Sequence, residues 1–162
     1  MRCLNRGWMG LRILYGRVNI DPGPDDLYEI PDLGAPVYGR LREGIKMVLN
    51  AMIFSKKPLS RMPKGTRQLF PKGATIGSIT SAIENRHPAI RHLFYKGIGH
   101  RDQFTESQIM VDLLLRLMDE GVVALQLHDA VLVAESKARK TEVVMLETFM
   151  THVGIAGKVT RE

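Results

Sequence analysis

Apolar residues recur at helical spacing in three stretches of the chain, and two short runs are dense in β-branched and aliphatic residues. Leu41, Ile45, Val48, Leu49 and Met52 fall at i, i+4, i+7, i+8 and i+11, which predicts a helix over 39–54 that buries this stripe. Thr105-Glu-Ser-Gln108 has capping-box spacing. Ile109, Met110, Leu113, Leu114 and Leu117 follow it, predicting a second helix that starts at Thr105 and ends before Gly121. A closing helix over 137–152 is expected to bury Val143, Leu146, Phe149, Met150 and Val153 and to stop at Gly154. Shorter helices are expected at 75–85 and after His87, with Pro88 at a first-turn position. The runs VVALQL (122–127) and VLVAES (131–136), separated by His128, Asp129 and Ala130, predict a tight β-hairpin.

The intervening segments are of two kinds. Residues 20–37 hold four of the eight prolines yet carry Leu27, Tyr28 and Ile30, so they read as an irregular connection with buried anchors and not as a linker. Residues 55–74 are basic, with three prolines and two glycines, and read as a mobile or substrate-contacting loop. The fold class that follows is α+β. Helices back a small antiparallel sheet built on the hairpin at 122–136, with 11–15 as a candidate further strand, in a single domain over 1–162.

Composition narrows the function classes. At 44% hydrophobic and 25% charged, the 162 residues suit one soluble globular domain, and not a fibre, a coiled coil or a disordered tail. No apolar run reaches membrane-spanning length. The arginine-bearing first residues lack a small-residue cleavage site, so a cytoplasmic location is expected. The lone Cys3 excludes an internal disulfide and a cysteine-based zinc site. Lys+Arg outnumber Asp+Glu by 23 to 17. Much of that excess lies in Arg40, Arg42, Lys46, Lys56, Lys57, Arg61, Lys64, Arg67 and Lys72, opposed only by Glu43. Such a stretch serves either a nucleic-acid or nucleotide phosphate or a plain solvated face.

Two constellations could carry chemistry. A carboxylate at a hairpin tip, Asp129 beside His128, can hold Mg²⁺, which needs few protein oxygens; alternatively Asp129 satisfies turn amides. On the 39–54 helix, Arg42, Lys46 and Asn50 drift by only about 80° around the axis, so both cations can address one anion such as a triphosphate. A metal-dependent hydrolase built from some of His87, His92, His100, His128 and Asp129 is a third reading, although no HExxH-type spacing occurs.

Taken together, Arg42-x3-Lys46-x3-Asn50-x3-Phe54 and a later hairpin bearing His128-Asp129 resemble the fingers helix and palm hairpin of the family A, DNA polymerase I-like, DNA polymerases. The helix ESQIMVDLLLRLMDEG resembles the family's long helix leading into that hairpin, and LNRGWMGLRILYG resembles its first palm motif, so the likeness spans most of 5–150. It is closest to compact phage or prophage forms, in a copy that looks truncated at the amino end.

The resemblance implies a palm remnant at 5–20, a fingers-like helix and basic loop at 39–74, and a palm helix, hairpin and closing helix at 105–153. It implies template-directed nucleotidyl transfer in phage or plasmid DNA replication, with Mg²⁺ as cofactor. Primer-template DNA and deoxynucleoside triphosphates would be partners, together with another polypeptide supplying the missing palm and thumb. Asp129 would hold metal, His128 would lie near the primer terminus, and Arg42 and Lys46 would neutralise phosphates. Phe54 would lie near the templating base, and Asn50 takes the place of the aromatic that packs on the nucleotide. Asn5 falls where the family has its first metal-binding aspartate, Gly10 where it has a Glu, and Ala130 follows the His-Asp pair where an acid is common, so a catalytically weakened enzyme is expected. The alternative is a non-catalytic nucleic-acid-binding protein that uses Lys56, Lys57, Arg61, Lys64 and Arg67.

Overall fold

The computed structural model describes residues 2–5, 10–34 and 39–161. The sequence reading takes 1–162 as one domain; contacts gather the chain into two compact units, 25–100 and the combination of 1–24 with 101–162.

The unit formed by the two chain ends holds a four-stranded antiparallel sheet. Its strands are β1 (Arg2–Asn5), β2 (Ala124–Leu127), β3 (Ala130–Val133) and β4 (Thr160–Arg161), in the order β2-β3-β1-β4. Every neighbouring pair is antiparallel, with Leu125 opposite Leu132, Leu4 opposite Val131 and Asn5 opposite Thr160. Because side chains alternate along a strand, Leu4, Val131 and Val133 share one face, and all three are buried. This unit also contains α1 (Leu11–Arg17), most of α4 (Gly99–Asp119) and α5 (Ala138–Val153). Leu11, Leu14, Ile109, Leu113, Leu117, Met145 and Phe149 join the strands in its core. The α+β class with a small antiparallel sheet is therefore as expected.

The middle unit is built on α2 (Arg40–Phe54) and α3 (Ile76–Arg86). Helix α2 buries Ile45, Val48, Leu49 and Met52 of the expected stripe, together with Gly44 and Ile53, while Leu41 is half-buried. Thr75 caps α3, accepting from the Ser78 amide at 3.1 Å while the Ser78 hydroxyl accepts from the Thr75 amide at 3.0 Å. Ile79, Ile83, Ile90 and Phe94 fill the rest of this core.

Several expectations are corrected. Residues 11–15 form helix α1, not a strand; the added strands are β1 and β4. Helix α4 starts at Gly99, so Thr105 lies inside it and bonds back to the Arg101 carbonyl at 3.1 Å instead of capping. Asp102 explains the early start. It is 8% exposed, and one of its oxygens accepts from Arg17 Nε and Nη2 at 2.9 and 2.6 Å, which ties the first turns of α4 to α1. After His87 the chain makes only a single 3₁₀ turn, Arg91–Leu93. The hairpin loop is two residues, His128 and Asp129, with Ala130 already in β3. Helix α5 ends at Gly154 as expected, but Val143 and Met150 face outward. Thr141 and Thr148 are buried in their place, because their hydroxyls donate to the carbonyls of Lys137 and Val144 at 3.0 and 2.7 Å.

Two predictions follow from this packing. A Cβ at Gly16 would collide with Val153 Cγ1 and stand 2.6 Å from the Val153 carbonyl oxygen. Gly16→Ala gains about 0.5–1 kcal/mol of helix propensity but forces α1 away from backbone, an overpacking cost of about 1–3 kcal/mol. Net destabilisation should therefore appear in urea unfolding. His87 is fully buried, which pushes its imidazole down to about 4; Arg86 pushes the same way, and a hydrogen bond with the Leu27 backbone opposes them. As pH falls below about 6.5, the unfolded chain takes up this proton before the folded one does. The contribution is thus complete above about 6.5 and drains away towards about 4, by at most about 3 kcal/mol. His87→Gln should flatten the fall in the urea midpoint across that window.

Candidate functional site

The hairpin tip, in the unit of the chain ends, is one candidate. A two-residue loop favours residues that tolerate positive φ, and His128 sits at φ +55°, in the left-handed region that glycine or asparagine usually fills. Its carbonyl accepts from Gln126 Nε2 at 3.1 Å, which holds the turn from within the hairpin. The result is an exposed His128 beside a half-buried Asp129.

Strand β1 brings position 5 to the same place. With Leu4 opposite Val131, the next antiparallel step sets the Asn5 backbone level with Ala130, one residue from Asp129. Residues 125 in sequence and one strand apart in the sheet thus meet at one end of it. The Asn5 side chain and residues 6–9 of the first palm-like motif lie outside the described residues. Among the described residues no three His, Cys, Asp or Glu side chains gather as a metal-holding group, so the five candidate hydrolase residues are not brought together. The donor that the described hairpin tip offers is the half-buried Asp129 carboxylate.

Helix α2, in the middle unit, carries a separate candidate. Arg42, Lys46 and Asn50 lie away from its buried stripe, with Lys46 and Asn50 exposed. Arg42 is already engaged. Its Nε and Nη2 donate to Asp26 at 2.6 and 3.2 Å, and its guanidinium lies 5.0 Å from the centre of the Tyr28 ring. The Asp26 hydrogen bond pushes the Arg42 pKa up. Sequence reasoning passed over Asp26 and took Tyr28 only as a buried anchor; both are direct neighbours of Arg42. The proline-rich setting of 20–37 was visible, but nothing in its spacing pointed at α2. Phe54, at the end of α2, meets the His100 ring edge-on, with centroids 5.1 Å apart and planes at 87°. Gly99 leaves room for that phenyl ring, since a Cβ there would lie 2.5 Å from it.

The basic loop, read from sequence as mobile or substrate-contacting, follows α2 directly and is anchored at several points. Thr66 is buried and donates to the Pro63 carbonyl at 2.8 Å, Phe70 is buried with its ring against Gly44 of α2, and Arg67 bonds the Ala74 carbonyl. Lys56 lays its methylene stem along Gly97. Lys56, Lys57, Arg61, Lys64 and Arg67 are all exposed. An open groove of about 690 Å³ runs between the end of α2 and the loop, with Pro58, Leu59, Met62 and Pro63 on its walls and Arg61 and Lys64 beside them. Among the described residues, no helix is long and apolar enough to cross a membrane.

Compared with known proteins, the chain matches no protein-family model, no curated protein and no solved structure.

Proposed function

We propose that the chain is a palm and fingers portion of a family A-like DNA polymerase, with a weakened capacity for template-directed nucleotidyl transfer. The observation that carries this reading is the register of β1 on β3, which sets position 5 beside the hairpin tip bearing Asp129. The resemblance assigns the two metal-binding positions of the palm to those residues on sequence alone, before any strand pairing is considered. An arrangement in which they lay at opposite ends of the sheet would have removed the reading's support.

In the reaction, the primer 3′ oxygen bonds to the α-phosphorus, the bond from that phosphorus to the bridging β-phosphate oxygen breaks, the hydroxyl proton passes to solvent and pyrophosphate leaves. Divalent metal, when bound, activates that hydroxyl and stabilises the departing charge. Asp129 supplies one full negative charge for that purpose, while an amide at position 5 offers only a dipole. Arg42 and Lys46 would receive the β- and γ-phosphates, and a triphosphate would have to compete with Asp26 for Arg42. Phe54 would address the templating base and His128 the primer terminus.

Primer extension tests the proposal. The native chain should extend a primer barely or not at all, and restoring the carboxylate with Asn5→Asp should raise the Mg²⁺-dependent rate by about three decades. Asp129→Ala in that background should return it to the floor. No gain from Asn5→Asp, with folding intact by circular dichroism, would reject the assignment of position 5.

The alternative, nucleic-acid binding without catalysis, is favoured by one specific observation: five exposed cations on a loop pinned by buried Thr66 and Phe70. Duplex or primer-template DNA should bind with a steep salt dependence, and replacing Lys56 and Lys57 by Gln should reduce the slope of log K against log salt by about 1.5. An unchanged slope would remove the loop from the interface. Binding that survives while extension stays absent in Asn5→Asp would select this alternative.

A further inference from the structure

The outer edge of β2 has no neighbour among the described strands, since β2 ends the order β2-β3-β1-β4. Proteins usually shield such an edge with lysine, proline or a bulge, because its unpaired N–H and C=O groups template another strand. Residues 122–127, VVALQL, contain none of these protections and no charge. They also leave apolar side chains in water: Val123 is 84% exposed, and Leu125 and Leu127 are each 53% exposed.

Strand geometry says which groups face outward. A two-residue hairpin closes with hydrogen bonds between the residues that flank the turn, here Leu127 and Ala130. Alternation then turns the amides and carbonyls of Leu127 and Leu125 inward to β3, and those of Gln126 and Ala124 outward to the open edge. A partner strand must therefore meet Ala124 and Gln126 in hydrogen-bonded pairs.

A second copy of β2 meets that requirement. Laid antiparallel about a two-fold axis at Leu125, each Ala124 pairs with the other copy's Gln126, and four backbone hydrogen bonds form. The same register sets Leu125 against Leu125 and Val123 against Leu127, in the closer, non-hydrogen-bonded positions. No like charges are opposed, because the segment has none. The arrangement that satisfies the backbone thus also sets the three exposed apolar side chains of one copy against those of the other, and it is isologous and closed, so it stops at two.

We propose that this chain forms a homodimer through antiparallel pairing of β2 with β2 of a second copy, centred on Leu125, which makes one eight-stranded sheet. Sedimentation velocity over a range of protein concentrations should show twice the monomer mass, and Leu125→Lys should convert it to the monomer with an unchanged circular dichroism spectrum. In a Cys3→Ser background, Leu125→Cys should form an interchain disulfide on mild oxidation, whereas Gln126→Cys, whose symmetry mate lies off the axis, should cross-link far less. A native chain that stays monomeric at the highest concentration overturns the proposal. So does a Leu125→Lys variant that remains dimeric, or a dimer whose Leu125→Cys form does not cross-link.

Discussion

The pairing of β1 with β3 is the constraint on which the unit of the chain ends depends. Without it the hairpin would be a two-stranded ribbon, which is marginal in water, and β4 would have no strand to join, because it pairs only with β1 among the described strands. β1 brings Leu4 onto Val131, both fully buried, so four residues convert an isolated hairpin into a sheet with a dry face. Register is specified strongly there. A slip of one residue would turn Leu4 to the opposite face and place Cys3 or Asn5 in the core. The same register fixes which stretch of backbone lies beside the hairpin tip, so one pairing sets both the core face and the surroundings of that tip.

Ionic contacts fix geometry around this sheet more than they add stability. Arg12 is buried, donating to the carbonyls of Ala156 and Gly23 at 3.2 and 2.5 Å with Asp21 at 3.7 Å, which joins α1 to the segment before β4. Burial pushes its pKa down, and Asp21 only partly opposes that. Asp102 tells the same story, its carboxyl pushed up by burial in spite of Arg17. Where desolvation outweighs the partner in this way, the ion pair is poor evidence of net stabilisation, and its consequence is positional. Arg42 and Asp26 are different, since both are substantially solvated and water screens their attraction.

How much was legible in the sequence follows from which signals were local. Helix α2 and its stripe were readable because five aliphatic residues repeat with the helical period and nothing polar competes for the face. The stop at Gly154 was readable because a left-handed cap, here φ +80°, favours glycine whatever packs nearby. The inward face of α5 is rotated by one position from the expected stripe, to Thr141, Val144, Met145 and Thr148, because a threonine hydroxyl that bonds its own helix can be buried. β1 and β4 were missed because two to four residues carry too little periodicity; their pairing partners lie more than a hundred residues away. The extra turns of α4 were missed because they depend on Asp102 meeting Arg17, a contact between distant segments. The site divides in the same way. The His128-Asp129 tip was visible from local turn logic, whereas the engagement of Arg42 by Asp26 and Tyr28 emerges only once 20–37 is folded.

The conformation of His128 bears on whether the hairpin tip is a turn or a site. Asn-Gly or Asp-Gly would close a two-residue loop with little strain, whereas a histidine at φ +55° costs of order 1 kcal/mol. A tip whose only task was to reverse the chain would gain from glycine at that position. Its imidazole is exposed, so it recovers nothing through packing, and the hydrogen bond the turn does make, from Gln126 to the residue 128 carbonyl, needs only backbone. Glycine would keep the reversal and that hydrogen bond, and would remove the imidazole beside Asp129. The strain is therefore attached to the presence of a side chain at the tip, and local inconsistencies of this kind concentrate where a residue serves chemistry or recognition more than folding.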